Sequence, residues 1–248
     1  LQRFPHAAVL YSDEDKIDTA GRRLEPYFKC EWNEDLFYSH NMICHLGVYR
    51  SKLVLELGGL REGFEGAQDY DLALRCIERI DPGQIVHIPR VLYHWRIHPG
   101  STASGADKPY ALRAGEKAIN EHLKRRGSDG FVEPLRDLRM YRVRYPLPNS
   151  VPLVSLIVPT RNGLRHIRQC VGSILEKTAY SNYVIIIVDN GSDEPEAPQY
   201  FESMKTDLRV RVICDDRPFN YSELINTACA AVSGSVIGLI NNDIEVIS

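Results

Sequence analysis

Residues Ala7-Ala8-Val9-Leu10-Tyr11-Ser12-Asp13-Glu14-Asp15 decide how this chain is read. The apolar run predicts a buried strand, and the acidic triplet closes it. Two carboxylates two residues apart at the C-terminal end of a strand can reach one divalent cation. Hard cations such as Mg²⁺ are held by one or two carboxylates plus substrate phosphates. A near-copy closes the chain, where Val236-Ile237-Gly238-Leu239-Ile240 runs into Asn241-Asn242-Asp243. A strand-then-acid element at each end predicts two related nucleotide-handling units, each cut in half. Acidic triplets at strand ends are more often solvated turns, so the elements between the two copies have to decide.

From about Val151, strand and helix patterns alternate. Val154–Val158, Tyr183–Val188, Val210–Ile213 and Val236–Ile240 predict strands. Leu164–Lys177, a stretch opened by Pro195 and running to about Lys205, and Tyr221–Val232 with Ser222 as a candidate cap predict helices. Near-continuous apolar strands between helices indicate a mostly parallel sheet covered on both faces. Right-handed crossovers then bring every strand's C-terminal end to the edge where ligands bind. The N-terminal part is less regular. Asn41–Tyr49 reads as a strand with a bend, Ser51–Leu57 as a short helix and Asp69–Ile80 as a longer one. Ile85–Pro89 and Val91–Arg96 read as two strands. A helix over Pro109–Arg126 and a basic linker (Arg136, Arg139, Arg142, Arg144) fill the middle. Those arginines read chiefly as a solvated face, with contact to phosphates or acidic lipid as the minority reading.

Composition bounds the answer. The 248 residues, 44% hydrophobic and 25% charged, are those of an ordinary globular chain of one or two domains. A net charge of −3 excludes a global basic field for nucleic acid. No apolar run approaches the roughly 20 residues of a transmembrane helix, and Leu1–Pro5 does not read as a signal peptide. The six cysteines are scattered without zinc-site spacing and several sit in apolar settings, so free buried thiols in a reducing cytoplasm are expected. The chain begins without Met and ends directly after a strand-like segment, which suggests a piece of a longer protein.

Several polar clusters are candidates for chemistry. In Pro159-Thr160-Arg161-Asn162-Gly163, Thr160 and Asn162 can hydrogen-bond a base or ribose and Arg161 can meet a phosphate. A strand-to-helix turn capped by Asn162 is equally open. Asp189-Asn190-Gly191-Ser192 closes the second strand of that part, either as a uracil or ribose contact or as a plain turn. Asp69 and Asp71 lie in the first turn of a helix and point to different faces, so each is a helix-terminus charge or, for Asp69, a general base. His94 and His98 lie four apart, where imidazole can serve as a metal ligand. The chain has no Gly-x-Gly-x-x-Gly and no Gly-Lys-Thr after a strand, against a dinucleotide fold or a phosphate-loop NTPase.

In this order the motifs resemble family 2 glycosyltransferases, inverting enzymes of the GT-A type, and are similar to bacterial tandem-domain proteins that build surface polysaccharides. The resemblance implies a mostly parallel sheet sandwiched by helices, with the halves in permuted order. Residues 1–102 resemble the C-terminal (acceptor and metal) half of one domain, and residues 151–248 the N-terminal, nucleotide-binding half of a second. Residues 103–150 are left as a helical and basic linker. By position, Asp69 is the implied catalytic base. Asp13, Asp15, His94 and Asp243 are implied metal contacts, with Mn²⁺ or Mg²⁺ as cofactor. Pro159, Thr160, Arg161, Asn162, Asp189, Asn190 and Gly191 are implied nucleotide contacts. Trp32, His40, Asn41 and Gln68 lie where acceptors or donor sugars are met.

The implied activity is transfer of a sugar from a nucleotide-diphosphate donor to a glycan or lipid-linked saccharide hydroxyl, with no nucleic-acid partner. The implied place is the cytoplasm, with peripheral association at the inner membrane left open. Two alternatives stay open: a non-catalytic nucleotide-sugar-binding fragment with split active sites, and, less favoured, a nucleotidyltransferase.

Overall fold

The computed structural model describes residues 2–98 and 109–247. The expected boundary at 102/103 lies outside the described residues. The chain divides into two compact units, Leu1–Pro146 and Leu147–Ser248. All six cysteines are free thiols, as expected, but only Cys76 and Cys170 are buried, while Cys30 and Cys214 are exposed.

The first unit is built on β1 (Val9–Ile17). Strand β2 (Arg23–Tyr27) and β3 (Gly47–Tyr49) pair with β1 antiparallel, and β4 (Ile85–Arg96) pairs with it parallel along its whole length. Because β4 occupies one edge of β1 throughout, β2 and β3 share the other, β3 beside Val9–Tyr11 and β2 beside Glu14–Ile17. The two strands expected over residues 85–96 are thus one strand. Its register shifts between the Ser12–Ile88 and Asp13–Val91 pairs. Pro89 lies in that gap and has no N–H to give the ladder. Only Gly47–Tyr49 of the strand expected at residues 41–49 is a strand. In the loop before it the carbonyls of Ile43 and His45 accept from the buried Lys29 ammonium instead of a neighbouring strand.

Helices α1 (Glu34–Ser39), α2 (Ser51–Glu56) and α3 (Gln68–Ile77) follow in chain order. The α3 start separates its two acids as expected. Asp71 is fully buried and bonded to Arg61 and Arg75, while Asp69 is half-buried elsewhere. Arg75 also donates to the carbonyls of Leu57 and Gly59, tying the turn after α2 to α3.

Of the stretch read as a linker, residues 109–146 are folded into this unit. Helix α4 (Pro109–Arg125) sets Ala118, Ile119 and Leu123 into the core formed with Phe37, Tyr70 and Leu74. A hairpin of β5 (Phe131–Leu135) and β6 (Met140–Arg144) adds Val132 and Tyr141 to it. Alternation explains why charge hid this hairpin. Arg142 and Arg144 face outward while Tyr141 faces the core, and a basic outer face is indistinguishable from a linker by composition alone. Tyr141 lies so close over Gly115 that a Cβ there would collide with its hydroxyl.

The second unit has the expected architecture. Strands β7 (Val154–Thr160), β8 (Tyr183–Asp189), β9 (Val210–Cys214) and β10 (Val236–Leu239) form a parallel sheet in the order β10-β7-β8-β9. Every residue of β8 is buried. Its alternation feeds two cores, Ile185 and Ile187 under α5 (Leu164–Lys177) and α6 (Ala197–Met204), Ile186 and Val188 under α7 (Tyr221–Ala231). Each such isoleucine contributes roughly 1.5–3 kcal/mol by leaving water. Helix α7 is capped by Asn220, whose side chain accepts from the Glu223 N–H, and not by Ser222. The position before α5 is Gly163 with no side-chain cap, so Asn162 does not cap that helix.

Candidate functional site

In the first unit, the parallel pairing of β1 with β4 makes Asp15 and His94 register partners. The His94 Nδ1 lies 2.5 Å from one Asp15 oxygen, and Arg23 Nε lies 2.5 Å from the other. Asp15 is almost fully buried. Burial works to raise its carboxyl pKa, but the hydrogen bonds from His94 and Arg23 outweigh it and hold the carboxyl below its ordinary value.

Asp13 is placed differently. One of its oxygens accepts from the Lys29 backbone N–H at 2.9 Å and meets His87 Nε2 at 2.8 Å. The His87 ring stacks on Tyr11 with centroids 4.9 Å apart. The structure therefore joins Asp15 to His94 and gives Asp13 a buried partner of its own. Among the described residues, only Glu14, Cys44 and His45 bring three such donor atoms within 4.8 Å of one another. Mg²⁺ and Mn²⁺ need no closed protein cage, since substrate phosphates and water complete their shell. Asp15 and His94 offer an oxygen and a nitrogen, donor types such an ion takes, with the two Asp15 oxygens held here by His94 and Arg23.

Asp69 stands in the wall of a cavity of about 600 Å³. Asn41 donates its side-chain amide to Asp69 Oδ2 at 2.9 Å. The cavity is lined further by His40, Cys44 and Tyr70, and by Arg113, Glu116 and Arg136 from α4 and the β5–β6 segment. His40 Nε2 meets the Tyr27 hydroxyl at 2.7 Å, and its buried Nδ1 has no partner. Burial, helped by the Lys29 charge, lowers its pKa and favours the neutral ring. Of the other residues expected here, Trp32 is packed on Phe37 with ring centroids 5.0 Å apart, and Gln68 accepts from the Gly66 N–H at the start of α3.

In the second unit the ends of three strands are joined by polar side chains. Thr160 and Asp189 are register partners. The Asn190 N–H donates to the Thr160 carbonyl, and Asn242 Nδ2 donates to Thr160 Oγ1 at 3.0 Å. Asp189 Oδ1 accepts from both the N–H and the hydroxyl of Ser192. Asn162, at φ +47°, donates its N–H to Ser192 Oγ and accepts from the Asp193 N–H. Asn190 donates to the carbonyls of Asp215 and Arg217, and its own Oδ1 is buried without a partner. Gly191 takes a positive φ of +70° at this turn. Pro159 lies within β7, Arg161 is exposed beside Thr160, and Asp243 is exposed, its charge near the buried Cys170 thiol.

Residues 155–247 match the model for Glycosyl transferase family 2. That match lies wholly within the second unit. Protein y4gI of Sinorhizobium fredii is 49% identical to it over 251 residues, covering 100% of this chain and 28% of that protein. The O-antigen biosynthesis protein RfbC of Myxococcus xanthus is 39% identical over 244 residues, covering 98% of this chain and 19% of that protein. The chain spans less than a third of the relatives it matches end to end. Among solved structures, a mannosyltransferase of Pyrobaculum calidifontis in complex with GDP-Man and Mn²⁺ is similar at a TM-score of 0.37 and 23% identity, covering 42% of this chain and 31% of that one.

Sequence reading overlooked residues that hold the chain's acids in place. His87, Lys29 and Arg23 surround Asp13 and Asp15, and Ser192 holds Asp189. Only Ser192, three residues after Asp189, had a local signal.

Proposed function

We propose that this chain carries acceptor-side and donor-side machinery of metal-dependent inverting glycosyltransferases that build a surface polysaccharide. The first unit serves as the acceptor half of one transferase domain, and the second as the donor half of another. The observation that carries the reading is Asp69, held through one oxygen by Asn41 in the wall of a cavity large enough for a sugar residue.

In the second unit Thr160, Asn162, Asp189 and Asn190 receive the base and ribose of a nucleotide-diphosphate sugar, and Arg161 meets its phosphates. In the first unit Asp15 and His94 hold Mn²⁺ or Mg²⁺, with Asp13 bracing the strand beside them. When bound, the cation would neutralise the diphosphate of the nucleotide that leaves in that same first domain's reaction.

A glycan or lipid-linked saccharide places its hydroxyl against Asp69. Asn41 occupies Oδ2, so Oδ1 takes the hydroxyl proton. The freed oxygen bonds to the anomeric carbon from the face opposite the nucleotide. The carbon–oxygen bond to the diphosphate breaks with its electron pair, and the anomeric configuration inverts in one displacement. Among the described residues no helix is long and apolar enough to cross a membrane. The reading places a lipid-linked acceptor at the cytoplasmic face of the membrane.

Asp69→Asn in the full-length polypeptide tests this. Sugar transfer should fall by about 10²–10⁴-fold, the usual worth of a general base, while nucleotide-sugar binding by calorimetry survives. Unchanged transfer would remove Asp69 from the mechanism. Donor binding without any transfer by the wild type would favour a binding module.

A further inference from the structure

Glu14, the middle residue of the acidic triplet, has neighbours that the reaction above does not use. Its Oε2 lies 3.1 Å from His45 Nδ1, and Cys44 Sγ lies 3.1 Å from the same nitrogen. The donor atoms of all three residues fall within 4.8 Å of one another. Glu14 is buried, and Cys44 and His45 are half-buried.

The surroundings hold these groups in place. The His45 ring is stacked on Tyr93, with centroids 4.6 Å apart and planes within 10°, and is tilted against Trp95. The buried Lys29 ammonium donates to the carbonyls on either side of Cys44, those of Ile43 at 2.9 Å and His45 at 2.6 Å. Ring and loop are therefore oriented by protein contacts, as ligands of a metal site need to be.

We propose that Glu14, Cys44 and His45 form a binding site for a borderline-soft divalent cation, Zn²⁺, separate from the Asp15–His94 pair. The set offers one sulfur, one nitrogen and one oxygen, the three donor types zinc takes in four-coordinate sites. A thiolate selects against the hard cations that suit carboxylates and phosphates. With Zn–S about 2.3 Å and Zn–N about 2.0–2.1 Å, tetrahedral sulfur and nitrogen stand about 3.6 Å apart. Opening the present 3.1 Å contact by about half an ångström admits the ion.

On coordination the Cys44 thiol gives its proton to solvent. Carboxylate and thiolate then balance the dication. Lys29, 3.9 Å from Glu14, stays on its two carbonyls. Cys44 also lines the cavity that holds Asp69, which leaves a fourth position for water on that side. The ion would clip the loop after Asn41 to β1, steadying the residue that orients Asp69.

The test uses the metal-free chain with Cys30→Ser and Cys214→Ser, which remove the two exposed thiols. It is titrated with Co²⁺ as a coloured stand-in for zinc. One equivalent should bring up sulfur-to-cobalt charge-transfer absorption in the near ultraviolet, which Zn²⁺ then abolishes. The absorption should be lost in Cys44→Ser and kept in Asp15→Ala. No such absorption, or its persistence in Cys44→Ser, overturns the proposal. Should Cys44→Ser fail to fold, X-ray absorption on the zinc-loaded parent decides. One sulfur neighbour beside nitrogen and oxygen supports the site, and nitrogen and oxygen alone overturn it.

Discussion

Asn41 and Asp69, 28 residues apart in the chain, meet through one hydrogen bond of 2.9 Å at the edge of a cavity. The Asn41 side-chain oxygen Oδ1 in turn accepts from the Cys44 N–H, so the amide cannot turn over without losing a second bond. Its NH₂ is thereby pointed at the carboxylate, and the Asp69 side chain has one favoured orientation.

Asn41→Ala should therefore lower kcat for sugar transfer about tenfold or more, because a misplaced base loses much of its effect. Donor affinity should be unchanged. Steady-state kinetics of the full-length polypeptide, with donor titration alongside, checks the split.

The buried pair of Asp13 and His87 predicts a stability effect. His87→Ala leaves a carboxylate oxygen in the core with only the Lys29 N–H, and removes the ring stacked on Tyr11. A loss of about 2–3 kcal/mol is expected, the scale of a buried hydrogen bond to a charged group. Urea unfolding measures it. An unchanged midpoint would contradict the geometry.

Glu78 predicts a pH dependence. Burial acts to raise its carboxyl, but hydrogen bonds from His122 and Arg125 outweigh that and bring it down to about 2 from an ordinary value of 4.5. The folded value is the lower one, so the stabilisation is present above pH 4.5 and is lost as pH falls toward about 2. Melting temperatures across that window should drop more steeply for the wild type than for Glu78→Gln. At neutral pH the variant should be the less stable of the two.

Thr160 predicts an effect on donor binding. Thr160→Val keeps the β-branched shape for β7 but removes the hydroxyl that accepts from Asn242. Nucleotide-sugar affinity should fall about tenfold, as befits one lost hydrogen bond of about 1–1.5 kcal/mol. Calorimetry with the donor reads it directly.

By itself the sequence determined the second unit almost completely. Its strands are continuous apolar runs such as Tyr183–Val188, and a strand that must be buried on both faces can have no other composition. The polar residues at the ends of those runs were legible for the same reason, because an abrupt change from apolar to polar marks the sheet edge. The acidic triplet, Asp69 and His94 were also visible in the chain.

Tertiary structure decided what these groups touch. Which acid of the triplet faces His94 depends on the register of β1 against β4, and that register is shifted around Pro89. The fate of each carboxylate then depends on residues far away in sequence: His87 for Asp13, His94 and Arg23 for Asp15, His45 for Glu14. The hairpin at residues 131–144 was likewise hidden, since its arginines report only the face turned to water. Hydrophobic patterning is a local property of the chain and survives in the sequence. Partnerships of buried charges are set by strand register and loop path, which exist only once the chain has folded.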